Sequence, residues 1–162
     1  STFNFQEHIK LIKNYPVFVY GEIKKSTKDH LKNVKNIKFM GRVSRDRILK
    51  IYNSNEKLIF FSLEFNAACS NSVIEAMSHS IPIIAFKNGC MKELINSNNG
   101  ILINYDIKKF KDKDYLKSLN IEKKIKKIKK KYQFFSKNSY ALAVQRFNKN
   151  HNSLKYINSI FN

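Results

Sequence analysis

Short apolar runs rich in β-branched and aromatic residues alternate along this chain with segments whose apolar positions recur every three or four residues. Val17–Tyr20, Ile37–Met40, Leu58–Ser62, Ile83–Phe86 and Ile101–Asn104 read as strands, and several are so continuously apolar that both faces must be covered. Between them, Ser44–Asn53 sets Ile48, Leu49, Ile51 and Tyr52 on one broad face behind a serine suited to cap the helix. Asn71–His79 and Met91–Asn96 read as the other intervening helices. This alternation predicts βα units, and hence an α/β fold with a doubly wound parallel sheet and right-handed crossovers.

Phe5–Lys13 reads as a helix that ought to follow a strand, yet neither a strand nor an initiating Met precedes it. Residues 1–105 are therefore expected to form a Rossmann-like domain lacking its first strand, with a complete five-stranded domain as the alternative. Beyond Tyr105 the pattern changes, and Asp106–Asn120 is charged and weakly periodic. Ile121, Ile125, Ile128, Tyr132 and Phe135 then draw one narrow apolar stripe along a single lysine-rich helix, in which residues 123–131 are all lysine apart from Ile125 and Ile128. Ser139–Lys149 and Ser153–Phe161 follow as further helices. Residues 106–162 are expected to pack on the same domain as basic and closing helices.

Size and composition set bounds on function. A chain of 162 residues with 43% hydrophobic residues can bury a core of its own. No apolar run approaches the roughly 20 residues needed to cross a bilayer, and Ser1–Asn4 lacks the basic start of a secretory signal. Cys69 and Cys90 are too few for a disulfide framework, so reduced thiols in a cytoplasmic protein are expected. The net charge of +19 has two readings: attraction to phosphate-rich partners, or lysine accumulated at permissive surface sites. His8, His30, His79 and His151 show no metal-ligand spacing, and no dinucleotide fingerprint, phosphate-binding P-loop or serine nucleophile elbow occurs.

Parallel sheets bind ligands where strands end and helices begin. Gly21 ends the first strand, either as a plain turn or as a point of close backbone approach to a ligand. Gly41 ends the second, followed by Arg42, whose guanidinium could meet a phosphate or simply be solvated. The third edge carries the most chemistry. Ala67, Ala68, Cys69 and Ser70 lead into a helix near Asn71, whose unpaired N–H groups favour an anion. Glu75 reads as falling just inside the first turn, where it serves either the helix dipole or a pair of neighbouring ribose hydroxyls. At the fourth edge, Asn88-Gly89 signals a turn into the next helix.

In order and spacing, Asn36–Val43, Ile48–Tyr52, Phe61–Glu64, Ser72–Met77 and Ile81–Ala85 resemble the carboxyl-terminal half of a family 4 glycosyltransferase. Gly100–Ile103 resembles its next strand, and Arg146 to Tyr156 its closing helices. Glu75-Ala76-Met77 ahead of Pro82-Ile83-Ile84-Ala85 is the most specific part. The resemblance implies a GT-B architecture of two Rossmann-like domains with the active site between them, of which this chain would be the donor-binding half. It implies no cofactor and no metal. Carried over by position, Glu75 would hold the ribose of a nucleotide-diphosphate sugar. The backbone of Cys69, Ser70, Asn71, Ser72 and Val73 would face diphosphate and sugar, with Gly21 nearby, and Arg42 and Val43 would lie near the base. The family often has a second glutamate at the position of Ala67, and Glu64 or Asn66 could take over part of its role, Glu64 being the catalytic candidate. The family's diphosphate-neutralising Arg and Lys would precede Ser1. By this reading the segment alone is inactive, and the acceptor (saccharide, lipid-linked or protein) is held by an amino-terminal domain. Nucleic acid is not an expected partner, and a peripheral contact with the inner face of the membrane is left open. The competing reading is a non-enzymatic basic module in which the 123–131 lysines contact nucleic acid or an anionic membrane surface.

Overall fold

The computed structural model describes residues 9–63, 70–109 and 112–147. Strand and helix alternate as β1 (Val17–Tyr20), α1 (Lys25–Leu31), β2 (Ile37–Gly41), α2 (Arg45–Tyr52), β3 (Phe60–Ser62), α3 (Asn71–Ser78), β4 (Ile83–Phe86), α4 (Met91–Leu94) and β5 (Gly100–Ile103). A 3₁₀ turn (Ile107–Lys109) leads to α5 (Lys113–Ser118), α6 (Ile121–Lys130) and α7 (Tyr132–Phe147). All the ladders are parallel, as expected of βα units. They fall into two groups, β1 with β2 and β3-β4-β5 in that order, so among the described residues β1 and β3 each present an open edge. The two groups nevertheless share one core, since Val17 of β1 and Phe61 of β3 pack on the same cluster as Ile84 and Phe86.

β4 is buried along its whole length and explains how the layers stack. Its side chains alternate between faces. Ile84 and Phe86 face a cluster with Ile103, Leu116, Leu119, Ile121, Ile125, Ile128 and Phe135, so α5 and α6 cover that side. Ile83 and Ala85 face Val73, Ala76, Met77, Met91, Leu94 and Ala143, so α3, α4 and part of α7 cover the other. The result is a three-layer α/β/α arrangement around β3-β4-β5.

Three elements depart from the sequence expectation. α1 carries a single buried apolar residue, Leu31, and no side-chain cap, so it left no amphipathic signal to read. The lysine-rich helix is broken at Lys131 (φ −122°, ψ 38°), which separates α6 from α7. The break redirects the chain: Phe135 joins one face's core and Ala143 the other's. α7 makes that passage beneath the amino ends of the strands, where the Tyr132 hydroxyl donates to the Leu58 carbonyl (2.9 Å) and buried Ser139 donates to the Ile81 carbonyl (2.8 Å). α4 stops at Leu94 because Ile95 turns extended and Asn99 bonds both the Leu94 carbonyl and the Asn96 N–H. Of the helix expected over Phe5–Lys13, residues 5–8 lie outside the described residues, and the described remainder leaves the helix after Ile9 for a turn; all of Ser153–Phe161 lies outside the described residues.

A carboxylate ties the start of the described chain to α6. Glu122, in the first turn of α6, accepts from the Lys13 N–H (2.8 Å), the Asn14 N–H (3.0 Å) and the Asn14 side-chain amide (2.8 Å). These bonds, the Lys13 N–H first, hold its pKa below the ordinary carboxylate value. A depressed folded pKa stabilises the fold above the unfolded value, and that stability is lost as pH falls through the folded one. Glu122→Gln is therefore expected to be less stable than the parent at neutral pH, with the gap closing below pH about 4 as the parent's carboxylate protonates. Urea unfolding at the two pH values measures this, and a gap independent of pH would refute it. Gly100 gives a second expectation. A Cβ there would overlap the Ile83 carbonyl oxygen and crowd the Ile95 side chain, so Gly100→Ala should cost about 1–3 kcal/mol of stability. A lowered thermal midpoint is the measurement.

Candidate functional site

With α7 passing under the amino ends of β3 and β4, the carboxyl edge is the side where a parallel sheet offers a ligand its strand ends and helix starts. β1 ends at Gly21 (φ 105°) and β2 at Gly41 (φ 70°), backbone conformations that L side chains resist, and nothing within 4 Å of either would obstruct a Cβ. The Gly21 N–H donates to the Gly41 carbonyl at 2.8 Å, tying the two strand ends together. Just beyond, Arg42 pairs with Glu22 at 3.4 Å across the mouths of the two loops. Both side chains are largely in water, so the pair adds little stability, and Arg42 is oriented by a carboxylate. Val43 is half-buried behind it, and Ser44 caps α2 by accepting from the Arg47 N–H.

Ser70 stands at the N-cap of α3, but its side chain makes no capping bond. Its carbonyl accepts from Val73 and Ile74. The Asn71 and Ser72 N–H groups have no partner among the described residues and belong to exposed residues at the helix start. Val73 turns its side chain fully into the core, so any ligand contact it makes is through its backbone. Glu64, Asn66, Ala67 and Cys69 lie outside the described residues.

The position of Glu75 corrects the sequence reading. α3 begins at Asn71, so the first turn holds no acidic residue and Glu75 sits a turn further in, away from the orphan N–H groups. Serving the helix dipole no longer accounts for it, because that effect fades beyond the first turn. Its partner is instead Arg45, whose Nη2 lies 3.1 Å from Glu75 Oε1. Arg45 opens α2 and Glu75 lies on α3, so the bond joins the helix after β2 to the helix after β3.

Tyr52, the last residue of α2, completes the group. Burial pushes its phenol pKa up, and the charges of Glu75 and Tyr20 add to the shift, which places all three side chains in one neighbourhood. Tyr52 also packs its ring 5.5 Å from that of His79, whose Nδ1 lies 2.9 Å from the Glu75 carbonyl. That short contact to an acceptor requires the proton on Nδ1. The structure places Gly21, Arg42 and Val43 where β1 and β2 end and Ser70, Asn71, Ser72, Val73 and Glu75 at the start of α3, and it links the two sets through Tyr20, Arg45 and Tyr52, which the sequence did not single out. Arg45 is one of only four arginines in a lysine-rich chain, which was a usable signal, but its partner lies 30 residues away. Among the described residues no three His, Cys, Asp or Glu side chains cluster as metal ligands would, and no helix is long and apolar enough to cross a membrane.

This geometry can be set beside known proteins. No curated protein sequence matches the chain. Its fold is similar to part of the pneumococcal O-GlcNAc transferase GtfA, solved in complex with UDP and GlcNAc (TM-score 0.72, 15% identity, 98% of this chain and 33% of that one). It is likewise similar to the sucrose-phosphate synthase of Thermosynechococcus elongatus (TM-score 0.70, 16% identity, 97% of this chain and 40% of that one). A third is Anabaena Alr3699/HepE in complex with UDP and glucose (TM-score 0.64, 19% identity, 96% of this chain and 44% of that one). The chain spans less than half the length of each, and the likeness establishes a Rossmann-like half of the GT-B type. The model of the family described as glycosyl transferases group 1 matches residues 4–113, more than half of the chain. The chain belongs to the group 1 glycosyltransferase family.

Proposed function

We propose that this chain is the donor-binding half of a glycosyltransferase and holds a nucleotide-diphosphate sugar at the carboxyl edge of its strands. The observation that carries the reading is Glu75, a half-exposed carboxylate one turn inside a helix whose first N–H groups face the loop side. It stands far enough from the helix start to serve hydroxyls without repelling a phosphate placed there. In this arrangement Glu75 accepts from the ribose hydroxyls, while the backbone from Cys69 to Val73 faces the diphosphate and the sugar. Gly21 gives close backbone approach, and Arg42 and Val43 lie toward the base. Glu64, just upstream of that loop, is assigned to the donor sugar in place of the glutamate that Ala67 replaces. Family membership and likeness to proteins crystallised with UDP support the class of ligand.

The reaction is transfer of a hexosyl or related group to an acceptor held by a second domain, amino-terminal to this one. The chemical demand is on the leaving diphosphate, whose developing charge is met by helix N–H groups and by cations. On this reading the protein works in the cytoplasm, and the lysines of α6 suit a peripheral contact with an anionic membrane face.

Calorimetric titration of the chain with uridine, guanosine and adenosine diphosphates tests the site. At least one is expected to bind, and Glu75→Ala should weaken it about tenfold, the loss of one to two hydrogen bonds to a charged acceptor. Binding indifferent to Glu75 would remove the ribose assignment. In an enzyme that carries both domains, Glu64→Gln should lower turnover, and unchanged turnover would remove Glu64 from the reaction.

A further inference from the structure

We infer that Arg45 is the positioning residue of this site: it fixes the Glu75 carboxylate through one oxygen and leaves the other for the ribose hydroxyls. This rests on the ribose reading of Glu75 and adds how that residue is made ready. The contact is one-sided. Arg45 Nη2 reaches Oε1 at 3.1 Å, whereas Oε2 has no partner among the described residues. A carboxylate offers about four acceptor positions, so a guanidinium bonded to one oxygen leaves the other oxygen's two positions for two hydroxyls.

The pair does little for the fold. The Arg45 side chain is 77% exposed and that of Glu75 40%, and ion pairs so open to water contribute little stability. What the pair does is local. An unpaired glutamate on a helix surface samples several rotamers, and ordering them when the ligand arrives subtracts from affinity. Packing alone does not hold the carboxylate, since the residues of α3 buried in the core are Val73, Ala76 and Met77, on the other side of the helix. The guanidinium, 3.1 Å away, gives the carboxylate a partner in advance. The Arg45 backbone lies in the first turn of α2, directly after the capping Ser44 and four residues after the turn at Gly41. The geometry of β2's end is thereby transmitted to the ribose site on α3. Tyr52, partly buried on the same side, lines the carboxylate without carrying a charge.

The test compares a ribonucleotide with its 2′-deoxy counterpart, because a merely structural role for Arg45 would change both affinities alike. The chain, Arg45→Gln, Arg45→Lys and Glu75→Gln are titrated calorimetrically at low ionic strength with the nucleoside diphosphate that binds best and with its 2′-deoxy form. The parent is expected to prefer the ribo form about tenfold, one hydrogen bond to a charged acceptor. Arg45→Gln should cut that preference to about two- to threefold, Arg45→Lys should retain most of it, and Glu75→Gln should remove it. If Glu75→Gln keeps the preference, or no diphosphate binds, the ribose reading itself fails. If Glu75→Gln loses the preference while Arg45→Gln keeps it, the reading stands and the role given to Arg45 is overturned. Equal weakening of both ligands by Arg45→Gln, or tighter binding of the ribo form, overturns it too, since Arg45 would then serve the phosphates or compete with the ribose.

Discussion

Everything in this structure depends on burying β4 on both faces. Ile83, Ile84, Ala85 and Phe86 are all closed to solvent, and a strand of that kind is stable only with a helical layer on each side. One layer comes from the helices between strands, α3 and α4. The other comes from α5 and α6, which follow the last strand, so the carboxyl-terminal region supplies half the cover of the core. The lysines of α6 take their place in this scheme. Ile121, Ile125 and Ile128 point inward, and Lys123, Lys126 and Lys127 face water because the inward face is spent, while half-buried Lys124 donates to the Leu119 carbonyl.

The same packing decides where ligands can go. α7 must pass from one face of the sheet to the other, and it does so under the amino ends of β3 and β4, tied by Tyr132 and Ser139 to backbone carbonyls there. The opposite edge keeps its strand ends and helix starts. Two glycines with positive φ turn the chain out of β1 and β2, and the helices that follow β2 and β3 meet through Arg45 and Glu75. Polar groups that the core could not satisfy thus collect on one side, in a chain whose net charge of +19 attracts phosphate generally. The specific arrangement, rather than that charge, sets this edge apart from a generally basic surface.

Legibility in the sequence varied with how local the cause was. β1 and β4 coincide with their apolar runs, and the start of α2 was readable from Ser44, because strand burial and capping act within a few residues. α1 was not readable, since Leu31 is its only buried residue and no periodicity arises from one position. The break at Lys131 was hidden for the opposite reason. The apolar stripe continues smoothly through it, and only the need to reach both faces of the sheet interrupts the helix. Gly100 carried no mark either, because its requirement is a neighbouring strand's carbonyl, at Ile83.

For the site, the sequence by itself determined the residue types and their edges: glycine after β1 and β2, a small polar loop before α3, a carboxylate within that helix. It also carried the motifs by which the family is recognised. The tertiary structure alone decided what Glu75 bonds to. Its place beyond the first turn sets it apart from the helix dipole, and its partner is an arginine 30 residues away on another helix. Local chemistry is written along the chain because it depends on near neighbours. A contact between two helices that follow different strands exists only once the sheet has set them side by side.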